Sequence, residues 1–297
     1  MDFFDRILKL PKYHRRAFIA LLLAICLILG LLDQLVLEDT ASSVHFLSHY
    51  VQSIVEALIV GLFVLWLFVA FTPYSEGQLE QLEPYRITPQ FDQMLKNAQR
   101  WRYKGNFGRY ERGRVLPVLA SKQNAHASIS IIDPRNEKLC REHAEYRNKI
   151  QAVDKGRVYD ADLVALEVVV TIVHCAWYVA KRTVDIDLYL SSVFDPLRID
   201  SNDDAMILTV EDRRSPALML TKQHFMYAHF EQHMLYAREQ GVPLKLDGLT
   251  ASDTVAALSD KEIEDFLNKI GMGGLCERLT AKKIATASRA SRNPYEN

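Results

Sequence analysis

The chain has 297 residues, with 36 Lys and Arg against 37 Asp and Glu, and a formal net charge of −1. That balance excludes the uniformly basic surface that grips duplex nucleic acid, so any such reading must rest on a local patch. Four scattered cysteines (Cys26, Cys140, Cys175 and Cys276) have no C-x-x-C spacing, and they indicate neither a disulfide framework nor a zinc site.

Residues 1–16 read as an amphipathic lead-in, with Phe3, Phe4, Ile7 and Leu8 opposite Lys9, Arg15 and Arg16. Two apolar runs follow, 17–37 and 53–72. Each has about 20 residues, the length a helix needs to cross a hydrocarbon core, so the pair reads as a transmembrane hairpin. Lys9, Lys12, Arg15 and Arg16 precede the first run, whereas the loop 38–52 has no Lys or Arg and carries Glu38 and Asp39. This bias predicts a two-span membrane protein with both termini cytoplasmic. Asp33 and Glu56 fall at similar depth near the outer ends of the runs. They read either as an acidic ring at the mouth of an oligomeric pore or as ordinary interfacial carboxylates.

Pro73, Gly77, Pro84 and Pro89 mark a connector over 73–89, after which Phe91, Met94, Leu95 and Ala98 predict a helix from Gln90 to Trp101. The segment 100–114 then packs Arg100, Arg102, Lys104, Arg109, Arg112 and Arg114 among Trp101, Tyr103, Phe107 and Tyr110. Guanidinium forks beside aromatic faces suit phosphates and unpaired bases, which makes the cations candidate nucleic-acid or nucleotide ligands and the rings candidate stacking platforms. Anionic lipid headgroups, or a salt-bridged surface with its rings turned inward, would use the same residues.

From Val115 the pattern is α/β. A buried strand closes at Asp133-Pro134, and 136–150 is an amphipathic helix with Leu139, His143, Tyr146 and Ile150 on one face. The Val-rich stretch 163–182 is assigned to a helix because Glu167, His174 and Lys181 recur every seven residues. Strands are expected at 185–191, 205–212 and 217–222, with DPLRIDSNDD and RRSP as the linkers between them. A helix at 224–241 ends at Gly241 and Pro243, and small helices follow from Asp247, one of them opened by a Ser259/Glu262 capping box. The expected division is an α/β domain over 90–245 and a helical appendage with a loose tail over 246–297.

Chemistry-bearing motifs are sparse. His229 and His233 lie one helical turn apart near His224, but HFEQH is not HExxH and no third metal ligand is evident. Asp133 ends a strand where α/β sheets often hold ligands. No G-x-S-x-G, Walker loop or GxGxxG is present, and Gly105, Gly108 and Gly113 do not make a dinucleotide loop. No motif calls for a metal or other cofactor, and no catalytic residue is assigned.

The stretches W-x-Y-x-G-x-x-G-R-Y, SISIIDPRNEKLCREHAEYR and FDPLRIDSNDDAMILTVEDRRSPALMLTK, within about 90–245, resemble one half of a phospholipase D-like fold. That family cleaves phosphodiesters with H-x-K-x(4)-D, and no His here is followed two places on by Lys. The resemblance therefore implies anion binding with the cleavage chemistry lost. The overall layout also resembles the two-transmembrane effectors of bacterial antiphage defence, retron-associated ones included. It implies a homo-oligomeric effector in the bacterial inner membrane that depolarises that membrane once a regulatory partner, nucleic acid or nucleotide triggers its cytoplasmic domain. The alternatives are a membrane-anchored enzyme acting on phosphoesters or lipid headgroups, with Asp133 in its site, and a non-catalytic tether for a soluble partner.

Overall fold

The computed structural model describes residues 79–150, 156–212 and 214–290, with isolated positions before them at Ala24, Ala57, Ile59, Val60, Gly61 and Phe63. The chain divides into two compact units, Met1–Tyr74 and Ser75–Asn297. In the second unit, β1 (Leu79–Leu82) leads into α1 (Pro84–Asn97) and β2 (Arg100–Lys104). A π-helical turn (Glu111–Val115) then runs into α2 (Leu116–Ala120). β3 (His126–Ile132), α3 (Glu137–Lys149), α4 (Ala161–Ala180) and β4 (Asp185–Ser191) follow. Next are β5 (Leu197–Ser201), β6 (Ala205–Val210), β7 (Ala217–Thr221), α5 (Phe225–Glu239) and β8 (Val242–Leu244). The last helices are α6 (Asp260–Lys269), α7 (Gly273–Leu279) and α8 (Ala281–Arg289).

The strands form one mixed sheet in the order β1-β7-β6-β5-β2-β3-β4-β8. Strands β2, β3 and β4 are parallel, while β5 turns back antiparallel to β2 and starts an antiparallel run through β6 and β7 to β1. Period-two alternation sorts β2 cleanly. Trp101 and Tyr103 are buried on the side of α1, where the Phe91 and Trp101 rings lie 6.5 Å apart. Arg102 and Lys104 point to the other side, toward α5, where Arg102 lies 3.6 Å from Glu231. Beneath α5, Ile199, Met206, Leu208, Leu220, Tyr227 and Met234 make a small second core.

The long helix α4 organises the main core. Asp160 caps it by accepting from the Leu163 N–H at 2.7 Å, and the helix is apolar on nearly every side, as a helix covered all round must be. The C-terminal helices supply part of that cover: Ile263, Phe266, Leu267, Leu275, Leu279 and Ile284 join the same core. The α4 and α8 helices are tied where His174 meets the Ser288 carbonyl at 3.0 Å. Helix α6 opens with the Ser259/Glu262 capping box expected from the sequence.

Two expectations are corrected here. The fold is not a two-helix transmembrane hairpin ahead of a phospholipase D-like half with a helical appendage: the described residues build an eight-stranded mixed sheet whose core includes the C-terminal helices. The two-span inner-membrane placement is corrected on the same finding. Among the described residues one helix, Ala161–Ala180, is long and apolar enough to cross a bilayer, and 72% of that window is buried inside the protein. Its apolarity is explained by the core it fills. The runs 17–37 and 53–72, including Asp33 and Glu56, lie outside the described residues apart from the isolated positions named above.

Two local assignments also shift. Pro84 and Pro89 do not belong to a connector. Pro84 sits at the first position of α1, where its missing N–H costs nothing, and Pro89 lies inside the helix. The stretch read as a linker, DPLRIDSNDD, contains the central strand β5.

Candidate ligand-binding cleft

A cleft of about 360 Å³ opens beyond the carboxyl end of β2, where the neighbouring strand order changes direction. Open α/β sheets leave a crevice at such a place. One wall is the start of α1, with Tyr85, Ile87, Thr88 and Phe91; another is the turn after β6, with Glu211, Asp212 and Ser215. The floor holds Tyr103, Phe107, Arg109, Tyr110, Arg147 and Arg198.

The loop after β2 is shaped by its glycines. Gly108 has φ +68, and a Cβ there would lie 2.8 Å from the Thr171 methyl of α4. At Gly105 a Cβ would meet the Tyr103 hydroxyl at 2.2 Å. Tyr103 therefore folds back over its own loop and accepts from the Gly108 N–H at 3.2 Å. Burial, followed by the nearby Glu111, raises the Tyr103 phenol well above its ordinary value and keeps it protonated. The loop delivers Phe107 and Arg109 to the cleft floor.

Each cleft arginine is braced by a carboxylate. Arg198 makes a two-point contact with Asp200, at 2.6 and 2.9 Å, inside a cage of Phe91, Tyr103 and Tyr110 with ring centroids 5.1 to 5.4 Å away. Arg147 donates to Glu211 at 2.6 Å, and Glu211 also contacts His143 at 3.0 Å and accepts from Asn106 at 3.0 Å. Arg109 lies 2.8 Å from Glu167 and donates to the Tyr159 hydroxyl at 2.5 Å. Arg109 and Arg147 both stand over the Phe107 ring, at 4.8 and 5.0 Å from its centroid. Guanidinium groups fixed against aromatic faces have already met the cost of ordering.

The acids take two forms. Burial pushes the Glu167 carboxyl up, but Arg109 and Arg112 outweigh it and bring it down to about 2. Burial likewise opposes ionisation of Glu211, and His143, Arg147 and Asn106 overturn it, leaving the group far below the usual carboxylate range. Glu111 goes the other way. It is fully buried beneath the floor, 3.7 Å from Arg198, and neither of its oxygens meets a hydrogen-bond donor of standard geometry. Burial, then the adjacent Asp200, raises it well above its ordinary value, so it keeps its proton. Glu111 also opens the π-helical turn, an irregularity that recurs at functional sites.

The basic segment 100–114 is thus divided. Tyr103, Phe107, Arg109 and Tyr110 line the cleft. Arg112 is buried beneath, bonded to Glu167 and to Thr171. Trp101 is fully buried in the core. Arg100 is exposed on β2, Arg102 and Lys104 pair with Asp203 and Asp195 on the α5 side, and Arg114 pairs with Asp92. The four rings pack inward, so the segment presents no row of exposed stacking platforms. Asp133 is closed into a turn by the Arg135 N–H and guanidinium, away from the cleft lining. His224 caps α5 through Nδ1, which accepts from the Met226 N–H. Among the described residues no three of His, Cys, Asp or Glu gather to hold a metal ion.

Sequence reasoning did not find Arg147, Arg198, Glu167 or Glu211 as parts of this site. Arg147 is one turn beyond His143 on the inward face of α3, a signal that was available. Arg198 and Asp200 alternate along a strand that turn-forming neighbours disguised.

The sequence matches no known protein family, and no curated protein matches it. A solved structure of TrmBL2, an archaeal chromatin protein described as showing a novel mode of DNA binding, is similar over 67% of each chain. The identity is 13% and the TM-score 0.33, a likeness that carries no argument.

Proposed function

We propose that the unit Ser75–Asn297 is a receptor domain for a small anionic molecule that carries a planar ring, of nucleotide size. One observation carries this reading: Arg109, Arg147 and Arg198 converge, each braced from behind, on a cleft of about 360 Å³ walled by Phe91, Tyr103, Phe107 and Tyr110. Cavities of this volume suit small ligands, and planar guanidinium forks favour carboxylate and phosphate groups. The cleft lining contains no His, Lys or Cys. Its Glu211 is committed as a carboxylate to His143, Arg147 and Asn106. The site therefore favours binding over phosphoester turnover. The membrane-disrupting part of the effector expectation depended on the two-span hairpin and does not go forward with it.

Titration calorimetry of the full chain with ribonucleoside 5′-monophosphates, and with the matching nucleosides, tests the reading. We expect the monophosphates to bind and the nucleosides to bind at least about tenfold more weakly, the loss of one charge-assisted contact. Arg109→Gln is the informative variant, since Glu167 keeps Arg112 and Arg157 as partners and the fold is spared. Its expected effect is weaker monophosphate binding with nucleoside binding unchanged. Heat signals absent for every probe would remove the proposal.

A further inference from the structure

The edge strand β1 and the cleft wall α1 are one continuous segment joined at Glu83. At the cleft end of β1, Leu82 pairs with Ala217 of β7. Ala217 comes just after the turn whose Glu211, Asp212 and Ser215 form the facing wall. The β1–β7 pair therefore joins the segment that forms one wall to the strand that follows the other.

The first turn of α1 is lightly held. Glu83 gives no side-chain cap. Pro89 has no N–H to bond the Tyr85 carbonyl one turn before it. Tyr85 is 78% exposed although it lines the cleft. The ion pair from Arg86 to Glu80, at 2.6 Å, is open to solvent at both ends and worth little. Firm anchors lie on either side, with Leu82 fully buried and Phe91 at 4% exposure.

We propose that residues 84–88 form a lid hinged between Leu82 and Phe91, and that its closure on a cleft occupant also tightens β1. This inference rests on the receptor reading. Ile87 already packs against the core, and an occupant gives the exposed Tyr85 and Thr88 a surface as well, so the closed state is the one a ligand selects. Strand β1 has four residues and one partner strand, which places it at the low-stability end of the sheet. A lid that tightens α1 therefore tightens β1 as well.

Hydrogen exchange of the full chain, with and without saturating ribonucleoside 5′-monophosphate, tests the inference. Without it, amides at 85–88 should exchange at least about tenfold faster than those in the last two turns of α1. With it, amides over 79–88 should slow by about tenfold while those of α6 stay unchanged. In Tyr85→Ala, an exposed position where the fold is not at risk, binding should weaken and the protection at 79–82 should disappear. Monophosphate binding with unaltered exchange over 79–88 would overturn the lid and leave the receptor reading standing. Exchange unaltered because no monophosphate binds would remove both.

Discussion

On β2, Arg102 meets Asp203 at 2.7 Å and Lys104 meets Asp195, and solvent reaches all four side chains. A few residues further on, Arg109 and Arg112 share Glu167 at 2.8 and 2.5 Å, with side-chain exposures of 12%, 7% and 11%. The two ends of one basic segment use the same ion-pair chemistry in different dielectrics. At the strand end the acidic partners Asp203 and Asp195 keep 45% and 31% of their side chains in water, so these pairs are partly hydrated and add less to stability. At the helix end the charges have been taken out of water, so each partner is held by the cost of leaving the other alone. Density of positive charge in a sequence therefore does not reveal a binding surface; the depth at which the charges are paired matters more.

Breaking the buried end should have the largest effect. Glu167→Gln takes the carboxylate away from Arg112, buried beneath the cleft floor, and should cost about 3–5 kcal/mol in urea unfolding of the full chain. A cost below about 1 kcal/mol would erase the contrast between the two ends. The same carboxyl sets an acid limb. Its folded pKa is depressed from 4.5 to about 2. Its contribution is thus complete above the unfolded value and is lost as pH falls from about 4.5 to about 2, roughly 3 kcal/mol in all. The Gln variant should lack that part of the acid transition.

Glu111 sharpens the comparison from the opposite side, since it is buried close to a like charge. Its folded pKa is raised, so wild-type stability is greatest below the unfolded carboxylate value and falls as pH rises toward the folded one. Glu111→Gln should remove that decline and be more stable than wild type at pH 8. Unfolding curves that keep the same slope with pH in both proteins would show that Glu111 is not the group responsible. The smallest effect belongs to the strand end, where Arg102→Gln should change stability by less than about 1 kcal/mol. A larger loss there would mean that the Arg102 contacts to Asp203 and Glu231 are shielded from water more than their exposure implies.

Much of the fold was legible where local chemistry and periodicity agreed. The strand Asp185–Ser191 and the capped helix at Asp260 lie where the sequence predicts them, because alternation and a capping box depend on neighbours alone. Helix α4 was assigned as a helix from the heptad line of Glu167, His174 and Lys181, yet that pattern could not show that Glu167 holds three arginines from other elements. Strand β5 was hidden because Asp200 and Arg198 look like solvent-facing turn residues until each is seen neutralising the other in the core. The cleft was half visible. Its aromatic and basic loop stood out, but Arg147 and Arg198 reach it from elements that only tertiary packing brings together. Length and apolarity alone do not distinguish a core helix from a membrane span, as Ala161–Ala180 shows.

The pairing of β1 with β7 also bears on how the molecule is made. Synthesis runs from the N-terminus, so β1 leaves the ribosome before every other described strand and must wait for its partner β7, the last described strand but one. Strands β5, β6 and β7 can pair through short turns as they emerge, leaving the outer edge of β7 open until β1 returns to it. In that interval any other extended segment can take the place of β1. The first strand of the second unit is therefore the point at which a nascent chain is most exposed to pairing with a neighbouring one.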